Sequence, residues 1–313
     1  MRILLLGANG QVGHALREPL AALGALACAT RSGALDDGTS CLAADLEDAP
    51  SLARAIDSAN AQLIVNAAAY TAVDRAEDEP ARADRINHRA VGEIGAWAAR
   101  NGALVVHYST DYVFDGTDSR ARHESDATAP LGVYGSSKLA GEVALRESAA
   151  RHLILRTAWV YAARGQNFLR TMLRLAAERE ELRVVDDQVG SPTPARWIAG
   201  TTGLILRKWA AMDEKDRELA LGTYHLTALQ RCSWFDFAQA IMAAASTVGL
   251  LDKVPRVLPI ASADYPTRAR RPAFSVLDNA KLALVFGLQL RPWQEGLREV
   301  IGELAGTPST GEP

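Results

Sequence analysis

Apolar residues fall in short unbroken runs through the first half of the chain, and amphipathic stretches separate them. The runs "RILLLG", "ALACAT", "CLAAD", "AQLIVNAAA", "GALVVHYST" and "HLILRTAWVY" predict strands. Residues 11–23, 51–58, 80–100 and 136–149 carry the helical period. Strands alternating with helices make βαβ units and a parallel sheet. Runs apolar at every position need cover on both faces, so the expected fold is α/β, a doubly wound Rossmann-type sheet.

Beyond about residue 160 the alternation loosens. "FLRTMLRLAAEREEL" is a helix with a charged outer face, "DDQVGSPTP" is turn-rich, and a further helix runs to about Trp209. "AMDEKDRE" reads as a surface loop, and "PRVLPIASADYPTRARRP" is punctuated by prolines. The expected division is a sheet domain over residues 1–160, rejoined by roughly 183–210, with the chain crossing back to the sheet near 183–188. A smaller, irregular α/β substrate-binding cap then comprises roughly 161–182 and 211–295, and residues 306–313 form a frayed tail.

Composition narrows the class. The chain has 313 residues, 48% hydrophobic and 23% charged, with a net charge of -3, so it carries no basic footprint for nucleic acid. Cys28, Cys41 and Cys232 are odd in number and lack a CxxC pair, which points to free thiols in a reducing compartment. "MRILLLGANG" has too short an apolar run for an export signal, and no apolar stretch of about 20 residues could span a bilayer. The expectation is a cytoplasmic protein without membrane partners. His14, His88, His107, His123, His152 and His225 are scattered without metal spacing, and core or surface packing accounts for each.

Chemistry concentrates in four places. "GANGQVG" puts Gly7, Gly10 and Gly13 between the first strand and first helix, where glycine lets the backbone approach a pyrophosphate at the helix amino end. At the end of the second strand, Thr30 and Arg31 stand where an NAD-selective fold usually has a carboxylate. An arginine fork suits a 2′-phosphate, which favours NADPH while leaving NADH open. Asp45 follows the third run, where it could meet an adenine, and Ala67, Ala68 and Ala69 are small enough at a strand end for a cofactor to pass. Finally, Tyr134 and Lys138 in "VYGSSKLAGE" lie one helical turn apart, downstream of Thr110 at the end of the fifth strand. A nearby ammonium favours the phenolate, so such a tyrosine can give its proton to a developing alkoxide.

A glycine turn, a Ser/Thr at this strand end and a downstream YxxxK together resemble the short-chain dehydrogenase/reductase superfamily, in its extended, nucleotide-sugar branch. "NAAAYTAVDRAE", "YSTDYVFDG", "ATAPLGVYGSSKLAGE", "RTAWVYA", "NFLRTMLRLAAEREELRVVDDQVGSPT" and "YPTRARRP" resemble the dTDP-4-dehydrorhamnose reductase family, from the first strand to about Trp293. The resemblance implies NAD(P)H-dependent reduction of the 4-keto group of dTDP-4-dehydro-L-rhamnose. It implies Tyr134 as proton donor, Lys138 as its tuning partner and ribose ligand, and Thr110 as a pKa-adjusting neighbour. Gly10, Gln11, Val12, Asp45, Leu46, Ala69, Tyr70, Thr71 and Tyr108 match the family's cofactor positions, and Thr110, Asp111 and Trp159 its substrate positions. Metal-dependent members hold magnesium with glutamates at a dimer interface. Two of those positions here are Ala15 and Arg196, which implies no metal and a monomer or weak homodimer without that bridge. Rival functions on the same fold are a sugar-nucleotide epimerase or dehydratase, and a non-catalytic dinucleotide-binding regulatory subunit. A dehydratase resembles its relatives in a Thr-Asp-Glu segment, and this chain has Tyr112 in the third place. Arg268, Arg270 and Arg271 suit either a substrate diphosphate or a solvated basic loop.

Overall fold

The strands β1 (Arg2–Leu6), β2 (Ala25–Thr30), β3 (Leu42–Ala43), β4 (Leu63–Asn66), β5 (Leu104–Thr110) and β6 (Arg151–Thr157) join Gly222–His225 in one sheet, as seen in a computed structural model that describes residues 1–306. The order is Gly222–His225, β6, β5, β4, β1, β2, β3, a 7-stranded sheet whose neighbours all run parallel. Every residue of β4 and β5 is buried, which is why both read as continuous apolar runs.

Helices cover both faces. On one side α1 (Gln11–Ala21), Ala195–Ala211 and Ala280–Phe286 enclose a core that includes Leu5, Leu16, Val106, Leu155, Ile205 and Phe286. On the other side α2 (Ala49–Ala59), Ala90–Asn101 and Val133–Glu147 pack over Leu4, Leu6, Ile64 and Ile154. A third core, with Tyr161, Leu169, Leu182, Phe237, Ile241, Trp293 and Leu297, lies in the later part of the chain, under Phe168–Glu178, Trp234–Thr247 and Trp293–Leu304. Among the described residues no helix is long and apolar enough to cross a membrane. The expected frayed tail falls, apart from Gly306, outside the described residues.

The return to the sheet differs from the expectation. Glu181–Val185 pairs with Arg256–Ile260 in a separate two-stranded sheet, and the large sheet is rejoined at Gly222–His225. The pattern explains this: Glu181 and Arg183 are exposed and alternate with buried Leu182 and Val184, as suits a strand covered on one face only. The strand that does return is "GTYH", too short and too polar to stand out. Ala195–Ala211 packs along α1. The stretch expected as a helix over 80–100 is broken by a π-helical turn, Arg85–Arg89.

A buried ion pair ties the Val133–Glu147 helix to β6. The Arg156 guanidinium donates from Nε to Glu142 Oε1 at 2.9 Å and from Nη2 to Oε2 at 2.7 Å, and Glu142 is 0% exposed. Burial pushes this carboxyl up, but the bonds and charge of Arg156 outweigh it and hold it below its ordinary value. Arg156→Met would leave that buried carboxylate with only the more exposed Arg146 as an ion-pair partner. Urea unfolding at neutral pH is expected to show a loss of about 3–5 kcal/mol, narrowing in acid as Glu142 takes up a proton. A loss below about 1 kcal/mol would contradict a structural role for the pair.

Candidate active site

The carboxyl ends of the parallel strands form one edge, where ligands bind in open α/β sheets. The glycine turn stands at the end of β1. Gly7 has φ +80°, and a Cβ there would lie 2.7 Å from Ala68 N; a Cβ on Gly13 would lie 2.0 Å from Gly7 O. The turn therefore admits no side chain at either place. Gly10 caps α1 with extended backbone, which leaves the amide groups of Gln11, Val12 and Gly13 as free donors of the first turn. Ala67, Ala68 and Ala69 follow β4 directly beside this turn. This is a cradle that fits a dinucleotide pyrophosphate.

Thr30 ends β2 and is buried. Its hydroxyl donates to Ala34 O at 3.0 Å and so shapes the loop that carries exposed Arg31. Asp45 accepts from Glu47 N at 3.0 Å, and Leu46 is buried in the core beneath α2. Tyr70 is pinned: its N–H donates to Asn87 Oδ1 at 2.8 Å and its hydroxyl to Glu79 Oε2 at 2.9 Å. Thr71 beside it is exposed. Tyr108 turns its hydroxyl to Thr202, at 2.7 Å on the opposite face, and offers the site only its carbonyl.

The candidate catalytic constellation sits at the end of β5. Helix Val133–Glu147 begins one residue before Tyr134, so Tyr134 lies in its first turn and Lys138 one turn on. Lys138 is 2% exposed, and its Nζ donates to Tyr108 O at 2.6 Å. Burial lowers its pKa to about 8, with Glu142 opposing. The Tyr134 ring meets Tyr112 edge-on, with centroids 5.6 Å apart. Burial raises the Tyr134 phenol to about 12, and a hydrogen bond with Thr110 works against that rise. The downward pull of the ammonium expected from sequence is not among the causes: in the protein alone, desolvation dominates. Thr110 in turn donates to Asp111 Oδ1 at 2.9 Å. Burial lifts the Asp111 carboxyl to about 6, and its Oδ2 is buried without a partner.

Several supporting residues escaped the sequence reading. Asn87, in the π-helical turn, also donates to Tyr70 O at 3.0 Å and to Ser137 Oγ at 3.1 Å, joining the Tyr70 loop to the Tyr134 helix. Asn66 and His107 lie behind Lys138. A π-turn has no simple sequence signature, and a histidine inside an apolar strand reads as packing.

Trp159, after β6, adopts φ +47° and stacks on Trp234 at 3.4 Å between centroids. Arg271 donates to both carboxylate oxygens of Asp74, at 3.1 and 2.7 Å, and Arg268 pairs with Asp78. These two therefore strap the 266–272 loop to the segment after β4. Arg270 lines a cleft with Asp187, Gln188 and Tyr265. Arg196 Nε stands 3.7 Å from Glu299, and Ala15 lies in α1. Among the described residues no group of three His, Cys, Asp or Glu side chains could hold a metal ion.

Comparison with known proteins agrees with this geometry. The family model described as RmlD substrate binding domain matches residues 1–305. A dTDP-4-dehydrorhamnose reductase of Burkholderia thailandensis is 48% identical over 297 residues, covering 94% of this chain and 96% of the relative. One from Escherichia coli is 44% identical over 307 residues, 98% and 99% of the two chains. The crystal structure of a dTDP-4-dehydrorhamnose reductase from Bacillus anthracis in complex with NADP superposes with a TM-score of 0.85 at 32% identity, covering 96% of this chain and 99% of that one. With a model matching almost its whole length and relatives above 40% identity, the chain belongs to the dTDP-4-dehydrorhamnose reductase family.

Proposed function

We propose that the protein is an NADPH-dependent oxidoreductase that reduces the 4-keto group of dTDP-4-dehydro-L-rhamnose to give dTDP-L-rhamnose. The observation that carries this is the meeting of Tyr134, Thr110 and Lys138 at the end of β5, on the same sheet edge as a glycine cradle that tolerates no side chain. When bound, NADPH supplies the hydride. Gly7, Gly10, Gln11, Val12 and Gly13 would hold its pyrophosphate, Arg31 its 2′-phosphate, and Asp45, Leu46, Ala67, Ala68, Ala69, Tyr70 and Thr71 would line its path along the sheet edge. Thr30 acts indirectly, by fixing the loop that bears Arg31. Tyr134 gives its hydroxyl proton to the sugar oxygen at carbon 4. Thr110 supports that hydroxyl, and Lys138 holds the ribose and stabilises the phenolate left behind.

The substrate lies between the sheet edge and the third core, where Asp111 and Trp159 face it. Asp111 has a carboxylate oxygen without a protein partner, which suits a sugar hydroxyl donor. The sheet with its helices serves the dinucleotide; the segments around 161–185, 228–260 and 293–304, which build the third core, cover the nucleotide sugar. Arg268 and Arg271 are already neutralised by Asp78 and Asp74, which favours a strap over a diphosphate clamp. The protein works in the cytoplasm, as a monomer or weak homodimer without magnesium, because Ala15 offers no ligand and Arg196 brings a positive charge.

Following NADPH oxidation on addition of dTDP-4-dehydro-L-rhamnose tests the reading; sugar turnover without net loss of NADPH would mark an epimerase instead. Addition of EDTA is expected to leave rate and oligomeric state unchanged, and a drop in either would restore a metal requirement. Tyr134→Phe should lower kcat by about 10²–10⁴ while NADPH still binds, since the variant loses one proton donor and no cradle contact. Near-normal turnover would remove Tyr134 from the chemistry. Arg31→Ala should raise KM for NADPH roughly ten- to hundredfold and leave KM for NADH in place, the cost of one charge-assisted contact. Equal effects on both cofactors would contradict the phosphate assignment.

A further inference from the structure

Behind Lys138 lies a chain of buried polar groups whose hydrogen-bond directions conflict with a charged lysine. Asn66 ends β4 and is 1% exposed; His107, next to it on β5, is 0% exposed. The Ala68 N–H donates to Asn66 Oδ1 at 3.2 Å, which fixes the amide with its oxygen toward Ala68 and its NH2 toward His107. That NH2 stands 3.2 Å from His107 Nδ1. An amide nitrogen only donates, so Nδ1 must be the bare, accepting nitrogen. The imidazole proton is then on Nε2, which faces Lys138 Nζ at 3.2 Å. An ammonium has no lone pair to receive it; an amine has one.

We propose that Asn66 and His107 form a hydrogen-bonded relay that disfavours the Lys138 ammonium and must reverse its hydrogen bonds whenever Lys138 gains a proton. The inference rests on the reductase reading only for its consequence in turnover. Proton balance is simple. When Lys138 takes one proton from solvent water, Nε2 must become an acceptor, so the imidazole proton moves from Nε2 to Nδ1. Asn66 then turns its oxygen to Nδ1, and the Ala68 N–H loses its partner. The imidazole holds one proton throughout, and Tyr108 O accepts an Nζ–H in both states. A buried imidazole beside a lysine is held well below its ordinary pKa, so it does not escape the conflict by becoming imidazolium. The charged group acting on Lys138 from its own helix is Glu142, already paired with Arg156 of β6 and Arg146. From the π-helical turn comes neutral Asn87, through Ser137.

His107 and Asn66 are thus positioning residues that act through Lys138. Reversing the relay costs free energy, so it adds to burial in disfavouring the ammonium and keeps Lys138 close to its titration point. Asn66→Asp would accept from Nδ1–H and leave Nε2 free to accept from the ammonium. His107→Gln would present an amide oxygen without any tautomer constraint. The test is the titration of the Lys138 ε-carbon by NMR in lysine-labelled protein without substrate, together with the alkaline limb of the kcat profile. Both variants are expected to move both readouts to higher pH by about one unit or more. A purely structural role would lower kcat at every pH and leave the limb in place. An Nδ1-protonated His107 beside an ammonium in the wild type, or variants whose Lys138 titration stays put or falls, would overturn the proposal. Should Asn66→Asp fail to fold, His107→Gln decides alone. The expected NMR shifts without any reduction of the keto sugar would support the relay and count against the functional reading.

Discussion

The site depends on the desolvated amine of Lys138, lodged between its helix and the end of β5. Its bond to the Tyr108 carbonyl is a direct link between the Val133–Glu147 helix and the sheet edge. It sets the height of the helix over the edge, and with it the position of Tyr134 one turn earlier. The Glu142–Arg156 pair, one turn later on the same helix, fixes its other end to β6. Asn87 clamps it from the side through Ser137. Three buried polar ties on one helix hold the phenol at the strand ends, where a ligand can be reached.

Burial has opposite effects on Tyr134 and Lys138. It raises the Tyr134 phenol to about 12 and lowers the Lys138 amine to about 8, so each is pushed toward its neutral form. A phenol so placed keeps its proton until a stronger base, such as a developing alkoxide, stands beside it. A lysine so placed can gain or lose charge near working pH. The glycine cradle brings the same economy to the cofactor: at Gly7 and Gly13 the backbone itself fills the space a Cβ would need. A dinucleotide held there would meet main-chain donors at the amino end of α1 without intervening side chains.

Most of this was legible in the sequence where one residue type has one physical use. The Gly7, Gly10, Gly13 spacing after an apolar run marked the turn, and the spacing of Tyr134 and Lys138 placed them one turn apart on one helix. The buried strands β4 and β5 stood out because both faces are covered. Failures came where a signal is short or depends on distant chain. "GTYH" joins the large sheet only because β6 offers it an edge, while "ELRVV" looks stronger and pairs elsewhere. Asn66, Asn87 and His107 matter through partners far along the chain, at 41 residues for the Asn66–His107 contact and 50 for Asn87–Ser137, and no local pattern marks them. The direction of the Tyr134 shift was misjudged for a related reason. Spacing places an ammonium near a phenol, but only packing shows that Nζ is turned to β5.

In the proposed reduction a proton from this chain and a hydride from NADPH reach one carbonyl. The most direct measurement uses NADPH deuterated at the transferable position of its nicotinamide, with dTDP-4-dehydro-L-rhamnose. Deuterium is expected at carbon 4 of the sugar, with one NADPH oxidised for each sugar reduced. Label at another carbon, or sugar converted with the NADPH intact, would contradict it.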